Sequence, residues 1–335
     1  MSIATILIII FAVGVSFLVF FLIKNVIIPK KATQAANYLN KSENLKAMRA
    51  AKAAIEKDPK NAEAYYLLGK AYLVDKREEQ AFRAYKSANR MGITGKNIPE
   101  AEFRETIARL YTKFNEPEEA LKEYVLLIKL HPENPEYYFQ AGKLFSSRNR
   151  ADLAEQYLRK AVSLGPEVVQ YLFELGMFYY LSKRLKEAST EFESVLKVNP
   201  ADGETLLYMG KSLKDSKDYA GSIPYFEKAA RDQGFKLRAL VELGSSYMSL
   251  KMMTKAVTEL ERAVNIIEKE DDADSLYARY FLAMCYEKGQ EFPKAVAQWE
   301  KIYAQKRNFR DVGEKLTQYI EYRTGTEEKG TVKKQ

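Results

Sequence analysis

The feature that most limits how this chain can fold is one pattern written twice between Pro135 and Pro200. The first copy contains Tyr138, Ala141-Gly142, Phe145, Ala154, Leu158, Ala161 and Pro166. The second contains Leu172, Leu175-Gly176, Tyr179, Ala188, Phe192, Val195 and Pro200. Corresponding positions lie 34 residues apart, and self-similarity at such a period marks an array of stacked supersecondary units. Large apolar residues at helical spacing give each of two short helices one buried face. The small residue at Gly142 or Gly176 is expected to face Ala154 or Ala188 across the hairpin, with Phe145 or Tyr179 filling the wedge beside them. A proline after the second helix cannot continue it and forces a turn.

This pattern resembles the tetratricopeptide repeat (TPR) family. Further copies extend the resemblance over nearly all of residues 30–307, beginning with a degenerate unit at Ala35, Tyr38, Ala47, Ala51, Ala54 and Pro59. A better copy has Tyr65, Leu68-Gly69, Tyr72, Ala81, Tyr85 and Ala88, and five extra residues around 96–100 separate it from Ile107-Ala108, Tyr111, Ala120, Tyr124 and Leu127. After the two opening copies come units centred on Met209-Gly210 and Leu243-Gly244. Ser222 replaces the usual alanine in the first of these, which suggests looser packing. A second insertion, 271–275, follows what reads as a lengthened helix, and the last copy is built on Leu282-Ala283, Tyr286, Ala295, Trp299 and Ile302. The resemblance implies an all-α fold, a right-handed superhelix (α-solenoid) of about eight helical hairpins over residues 29–322. The amphipathic segment 309–322, with Val312, Leu316, Tyr319 and Ile320, is expected to cap its open end. Residues 323–335 are polar and without periodicity, and read as a disordered tail.

Residues 1–28 are expected to form an N-terminal transmembrane anchor. From Ile3 to Ile23 there is no charged residue, and a helix of this length reaches roughly 30 Å, enough to cross a hydrocarbon core. A cleaved signal peptide would need a basic start, a shorter apolar run and a small-residue cleavage site, none of which precedes Lys24. Lys24, Lys30 and Lys31 follow the segment, which places the repeats in the cytoplasm by the positive-inside rule, an outward or periplasmic placement being the alternative. The lipid bilayer is then one partner.

Charge and chemistry narrow the function. The net charge of +8 comes from 53 basic and 45 acidic residues, an interspersed mixture that marks a solvated surface rather than a nucleic-acid footprint. Glu102, Glu105, Glu136 and Glu204 on first helices also argue against an RNA-reading face. One cysteine, Cys285, excludes an intrachain disulfide. The single histidine, His131, precedes Pro132 at a turn, so no Ser/His/Asp set or Cys/His metal cluster can be assembled. The stretch 92–96 is too short for a phosphate loop, and Gly92 reads as a helix cap. Asp271, Asp272 and Asp274 lack the glycine and distal glutamate of a calcium loop. No enzymatic activity, metal or cofactor is expected.

The resemblance also implies a binding groove lined by first-helix residues. Carried over copy by copy, the groove positions are Tyr66, Lys70, Arg109, Phe139, Lys143, Phe173, Met177, Tyr180, Leu207 and Lys211. They describe an aromatic middle flanked by cations, suited to a protein or peptide ligand with apolar anchors and acidic flanks. The competing reading packs these aromatics between repeats and leaves the lysines solvated. The family's terminal-carboxylate clamp requires an asparagine that these positions lack. The expected function is a membrane-anchored scaffold that recruits or assembles a membrane-associated complex. A regulatory subunit of a membrane or envelope-biogenesis enzyme is the alternative.

Overall fold

A computed structural model describes residues 14–16, 31–93 and 97–319, and the chain divides into two compact units, Met1–Asn149 and Arg150–Gln335. All regular structure among the described residues is helical. The first unit contains α1 (Lys31–Asn40), α2 (Asn44–Lys57), α3 (Ala62–Val74), α4 (Glu78–Met91), α5 (Glu100–Lys113), α6 (Pro117–Leu130) and α7 (Pro135–Ser147). The second contains α8 (Ala151–Leu164), α9 (Val169–Leu181), α10 (Leu185–Val198), α11 (Gly203–Asp215) and α12 (Tyr219–Ala229). It continues with α13 (Lys236–Ser249), α14 (Met253–Val264), α15 (Ala273–Lys288) and α16 (Phe292–Gln305). Among the described residues, a helical turn at 14–16 and a helix at 312–319 bring the helices to eighteen, more than the expected eight hairpins hold. Within each unit every helix packs on the one before and the one after it, the arrangement of a solenoid.

The pairing inside a hairpin follows from side-chain size. Ala81, Ala120, Ala188, Ala256 and Ala295 on the second helices are fully buried, as are the large residues one turn later, including Phe192, Phe226 and Leu260. The first-helix glycine meets the large residue rather than the alanine, which corrects the expectation. A Cβ on Gly176 would lie 2.7 Å from Phe192 Cε1, and one on Gly244 only 2.5 Å from Leu260 Cγ. The glycine therefore admits a whole ring or branched side chain against its backbone. Ser222 does not mark a loose unit: it is fully buried, and its hydroxyl lies 3.0 Å from that of Ser246. The long helix near the second insertion is also displaced from its expected place. The helix before the insertion, α14, has 12 residues, and the one after it, α15, has 16.

Each first helix ends the same way. Ser42, Lys76, Asn115, Asn149, Lys183, Lys217, Lys251 and Gln290 all have φ between 57° and 68°. The next residue's N–H reaches back to the carbonyl five positions earlier, as in Arg184 to Tyr179 at 2.9 Å and Met252 to Tyr247 at 2.9 Å. This is the Schellman closure of a helix C-terminus. The second helices end differently, and Gly92, with φ 78°, caps α4 as expected.

Neighbouring hairpins are stitched by hydroxyl–carboxylate contacts. Tyr179 Oη donates to Glu155 at 3.1 Å, and Arg184 stacks over the Tyr179 ring at 4.4 Å while pairing with the same Glu155 at 2.5 Å. Tyr286 Oη donates to Glu261 at 2.6 Å. At the C-terminal end Val312 is fully buried and Phe309 nearly so, against a core containing Tyr280, Tyr286 and Trp299. The described part of the expected cap thus packs as a continuation of the stack, and residues 320–335 lie outside the described residues.

The single-pass membrane placement is corrected. No helix among the described residues is long and apolar enough to cross a membrane. Apart from residues 14–16, the stretch from Ile3 to Ile23 lies outside the described residues.

Two substitutions check this packing by thermal or denaturant unfolding of the full chain. Gly176→Val drives two methyl groups into the Phe192 ring, and a loss of about 2 kcal/mol or more is expected from overpacking. Lys183→Gly removes the side-chain clash of the left-handed turn, and a gain of about 0.5–1 kcal/mol is expected. Unchanged midpoints would remove these two contacts from the account.

Candidate functional site

The first helices of each unit carry the sequence-derived groove residues, five in each unit. Their placement divides them by chemistry. In the first unit Tyr66 is buried, and its hydroxyl donates to Glu102 at 3.1 Å on α5. Its ring meets Tyr85 edge-on at 5.9 Å. Phe139 is fully buried, with the Lys143 ammonium 5.2 Å above its ring. In the second unit Leu207 is fully buried, and Tyr180, also buried, donates its hydroxyl to Asp215 at 3.0 Å. Tyr66, Tyr180 and Leu207 belong to the packing between neighbouring repeats, and Phe139 lies in the buried core. Phe173 and Met177 are half-buried and keep part of their surface in solvent.

Two of the cations are already matched. Lys70 pairs with Glu102 at 2.8 Å, and Lys211 lies 3.7 Å from Glu242, which also accepts from Lys214 at 2.5 Å. The lysines therefore hold neighbouring first helices as well as lining them. Hydrogen bonds from Lys70 and Tyr66 hold the Glu102 carboxyl below its ordinary value of 4.5, against the opposing effect of burial. Burial, reinforced by Glu102, pushes the Tyr66 phenol well above its ordinary range. Burial and Glu105, which accepts the Tyr137 hydroxyl, push the Tyr137 phenol up to about 12.

Arg109 stands apart. It is exposed on α5 and, among the described residues, forms no ion pair. It lines a cleft of about 560 Å³ between α5 and α7, shared with Glu105, Lys113, Tyr124, Glu136, Tyr137 and Gln140. Glu105 and Glu136 balance the charges of Arg109 and Lys113 there, so the cleft offers the donors of the guanidinium rather than a net positive charge.

The second unit offers an apolar counterpart. Tyr208 on α11 is half-buried and packs edge-on against Phe173 at 6.1 Å and against Tyr180 at 5.6 Å, with Lys211 5.6 Å above its ring. Phe173, Met177 and Tyr208 thus form a partly open aromatic and thioether surface carrying one cation. Tyr208 lies outside the two rows of positions that the repeat pattern carries over, so the sequence alone did not single it out. The residue one position after Leu207 faces outward instead. Tyr137 and Gln140 were missed for the same reason.

The groups that could serve chemistry do not converge. His131 is exposed at the end of α6, with Nδ1 3.6 Å from Glu133. Cys285 is buried on α15, and burial pushes its thiol up to about 11. No cluster of metal-ligating side chains occurs among the described residues.

Glu102 gives the site a pH signature. Its folded-state pKa is lowered, so its contribution is present above 4.5 and lost as pH falls through the lower folded value. Glu102→Gln should cost about 0.5 kcal/mol near pH 7, as expected for a half-exposed ion pair. The difference from wild type should shrink as pH drops below 4.5. A gap that is constant from pH 7 to pH 3, measured by thermal unfolding, contradicts this assignment.

Comparison with known proteins agrees with this architecture. Models described as Tetratricopeptide repeat match residues 50–83, residues 105–167 and 139–204, and residues 237–270. No curated protein matches the chain by sequence. The C-terminal part of a TPR repeat-containing protein from Cytophaga hutchinsonii is similar in structure, with a TM-score of 0.51 and 18% identity over 85% of this chain and 99% of that one. YrrB, described as a TPR protein with an unusual peptide-binding site, aligns with a TM-score of 0.47 and 19% identity over 57% of this chain and 96% of its own. MamA aligns with a TM-score of 0.46 and 18% identity over 53% of this chain and 94% of its own. At these identities the likeness is one of fold. The repeat models fall in both compact units, and the chain is built from tetratricopeptide repeats.

Proposed function

We propose that this chain is a protein-interaction scaffold that holds peptide segments on the first-helix faces of its repeats. The observation that carries the reading is the partly open Phe173–Met177–Tyr208 surface with Lys211 over its edge. Partly exposed aromatic and thioether side chains on successive first helices supply an apolar anchor point at low conformational cost. Lys211 lies 3.7 Å from Glu242 while Lys214 holds that carboxylate at 2.5 Å, which leaves Lys211 as the cation able to meet an acidic residue beside the anchor. In the first unit the Arg109 guanidinium offers further hydrogen-bond donors, in a cleft that also holds Glu105 and Glu136. The partner is therefore a protein segment pairing an apolar side chain with nearby Asp or Glu. The role needs no catalytic group, and His131 and Cys285 take no part in it.

Display of a random peptide library against the full chain tests this directly. Selected peptides should carry an aromatic or aliphatic residue close to an acidic one. Phe173→Ala combined with Tyr208→Ala should weaken their binding about tenfold or more, the scale of losing a hot-spot anchor. Lys211→Glu should shift selection away from acidic residues. Peptides that bind both variants as tightly as wild type would place the docking surface elsewhere.

A further inference from the structure

Two junctions between hairpins are longer than the others. Gly69 to Ala108 and Gly244 to Ala283 each span 39 positions, whereas Ala108, Gly142, Gly176, Gly210 and Gly244 follow one another at 34. The first helix after each long junction carries an arginine, Arg104 on α5 and Arg279 on α15. The degenerate first repeat has Lys31 at that place, and the remaining repeats have Tyr65, Tyr138, Leu172, Leu206 and Leu240. Both arginines are largely buried, with 11% and 4% of the side chain exposed.

Their partners correspond too. Arg104 donates from Nη1 to Glu123 at 2.6 Å and from Nε to Glu100 at 2.8 Å, and Glu123 also accepts from Asn89 of α4 at 2.8 Å. Arg279 donates from Nε and Nη2 to the two carboxylate oxygens of Glu270 at 2.8 and 2.6 Å, and from Nη1 to Gln298 at 2.8 Å. Glu123 and Gln298 occupy the same repeat position, three residues after the buried Ala120 and Ala295. Arg279 thereby joins the second helix to the chain that enters the first, whereas Glu100 is the first residue of α5 itself, so Arg104 links the second helix only to its own helix.

A buried guanidinium is costly unless its donors are satisfied, and its fixed fork of five donors can serve several acceptors at once. A leucine at this place could anchor nothing polar. The repeat carrying Leu172 provides the contrast. There Glu191, at the position of Glu123, has no arginine of this kind, and burial raises its carboxyl.

We infer that Arg279 is a pin that clamps the lengthened junction before α15 to its own hairpin, so that five extra residues enter the array there without creating a hinge. At the second junction the pin also shapes the first-helix face. The clamped segment lays Ile266 and Ile267 against Leu240, Val241 and Ala278, and α13 packs directly on α15 as well as on α14.

Hydrogen exchange on the full chain tests the pin at the amides of Ile266, Ile267, Ser275 and Leu276, all of which are hydrogen-bonded. Arg279→Leu installs the residue of the regular repeats, and Glu270→Gln removes the charge while keeping Arg279. Both should accelerate exchange at these amides about tenfold, the scale of a local opening, with α9 to α11 unchanged. Arg279→Lys, which lacks the fork, should not restore protection. If Arg279→Leu loses protection throughout the second unit, Glu270→Gln decides, because Glu270 is half-exposed and its replacement leaves no cavity. Exchange at these amides within about twofold of wild type in Glu270→Gln overturns the inference. So does full restoration by Arg279→Lys.

Discussion

The architecture depends on one steric match, a large side chain of the second helix pressed against a small residue of the first. Phe192 on Gly176 and Leu260 on Gly244 leave no room for a Cβ. That contact sets the spacing between the two helices and thereby the surface each hairpin presents to its neighbour. Packing of this kind tolerates little change in volume. Because it recurs every 34 residues in most of the array, each repeat inherits the same geometry. In a solenoid, stability is the sum of such hairpins and the seams between them.

The seams use a second kind of interaction. Tyrosine hydroxyls reach carboxylates on the neighbouring hairpin, as Tyr66 does with Glu102, Tyr180 with Asp215 and Tyr280 with Asp311. Each ring buries apolar surface while its polar tip finds an acceptor, which suits an interface between repeats. The same contacts limit what the first-helix faces can offer a ligand. Residues spent on a seam are withdrawn from docking. Those left partly open are Phe173, Met177 and Tyr208 in the second unit and, separately, Arg109 in the first.

Much of the fold is legible in the chain because burial selects residue types at fixed intervals. Ala188, Phe192 and Val195 are fully buried where their spacing puts them. The left-handed turns were not legible, since Lys183, Asn115, Ser42 and Gln290 share a backbone conformation and no side-chain chemistry. The candidate site was read in part. The pattern identifies which helix faces the hollow side of a repeat, but whether a ring there is buried depends on the next hairpin. Tyr66 and Leu207 are therefore packed away, whereas Tyr208, one position on, stays partly open. Arg104 and Arg279 were visible as departures from Tyr or Leu. Their meaning required the partners Glu123, Glu270 and Gln298, which lie on other elements.

The tyrosine seams have a consequence in alkali. Burial holds the phenols of Tyr124, Tyr137 and Tyr179 up to about 12, against an ordinary value of 10.0, and it raises those of Tyr66, Tyr180 and Tyr286 further. An unfolded chain ionises these groups above pH 10 while the folded array keeps them neutral, so each unfolding event sheds a proton from every one of them. The steepness of base denaturation therefore scales with the number of stacked repeats, and a proton count on melting would report how many seams part together.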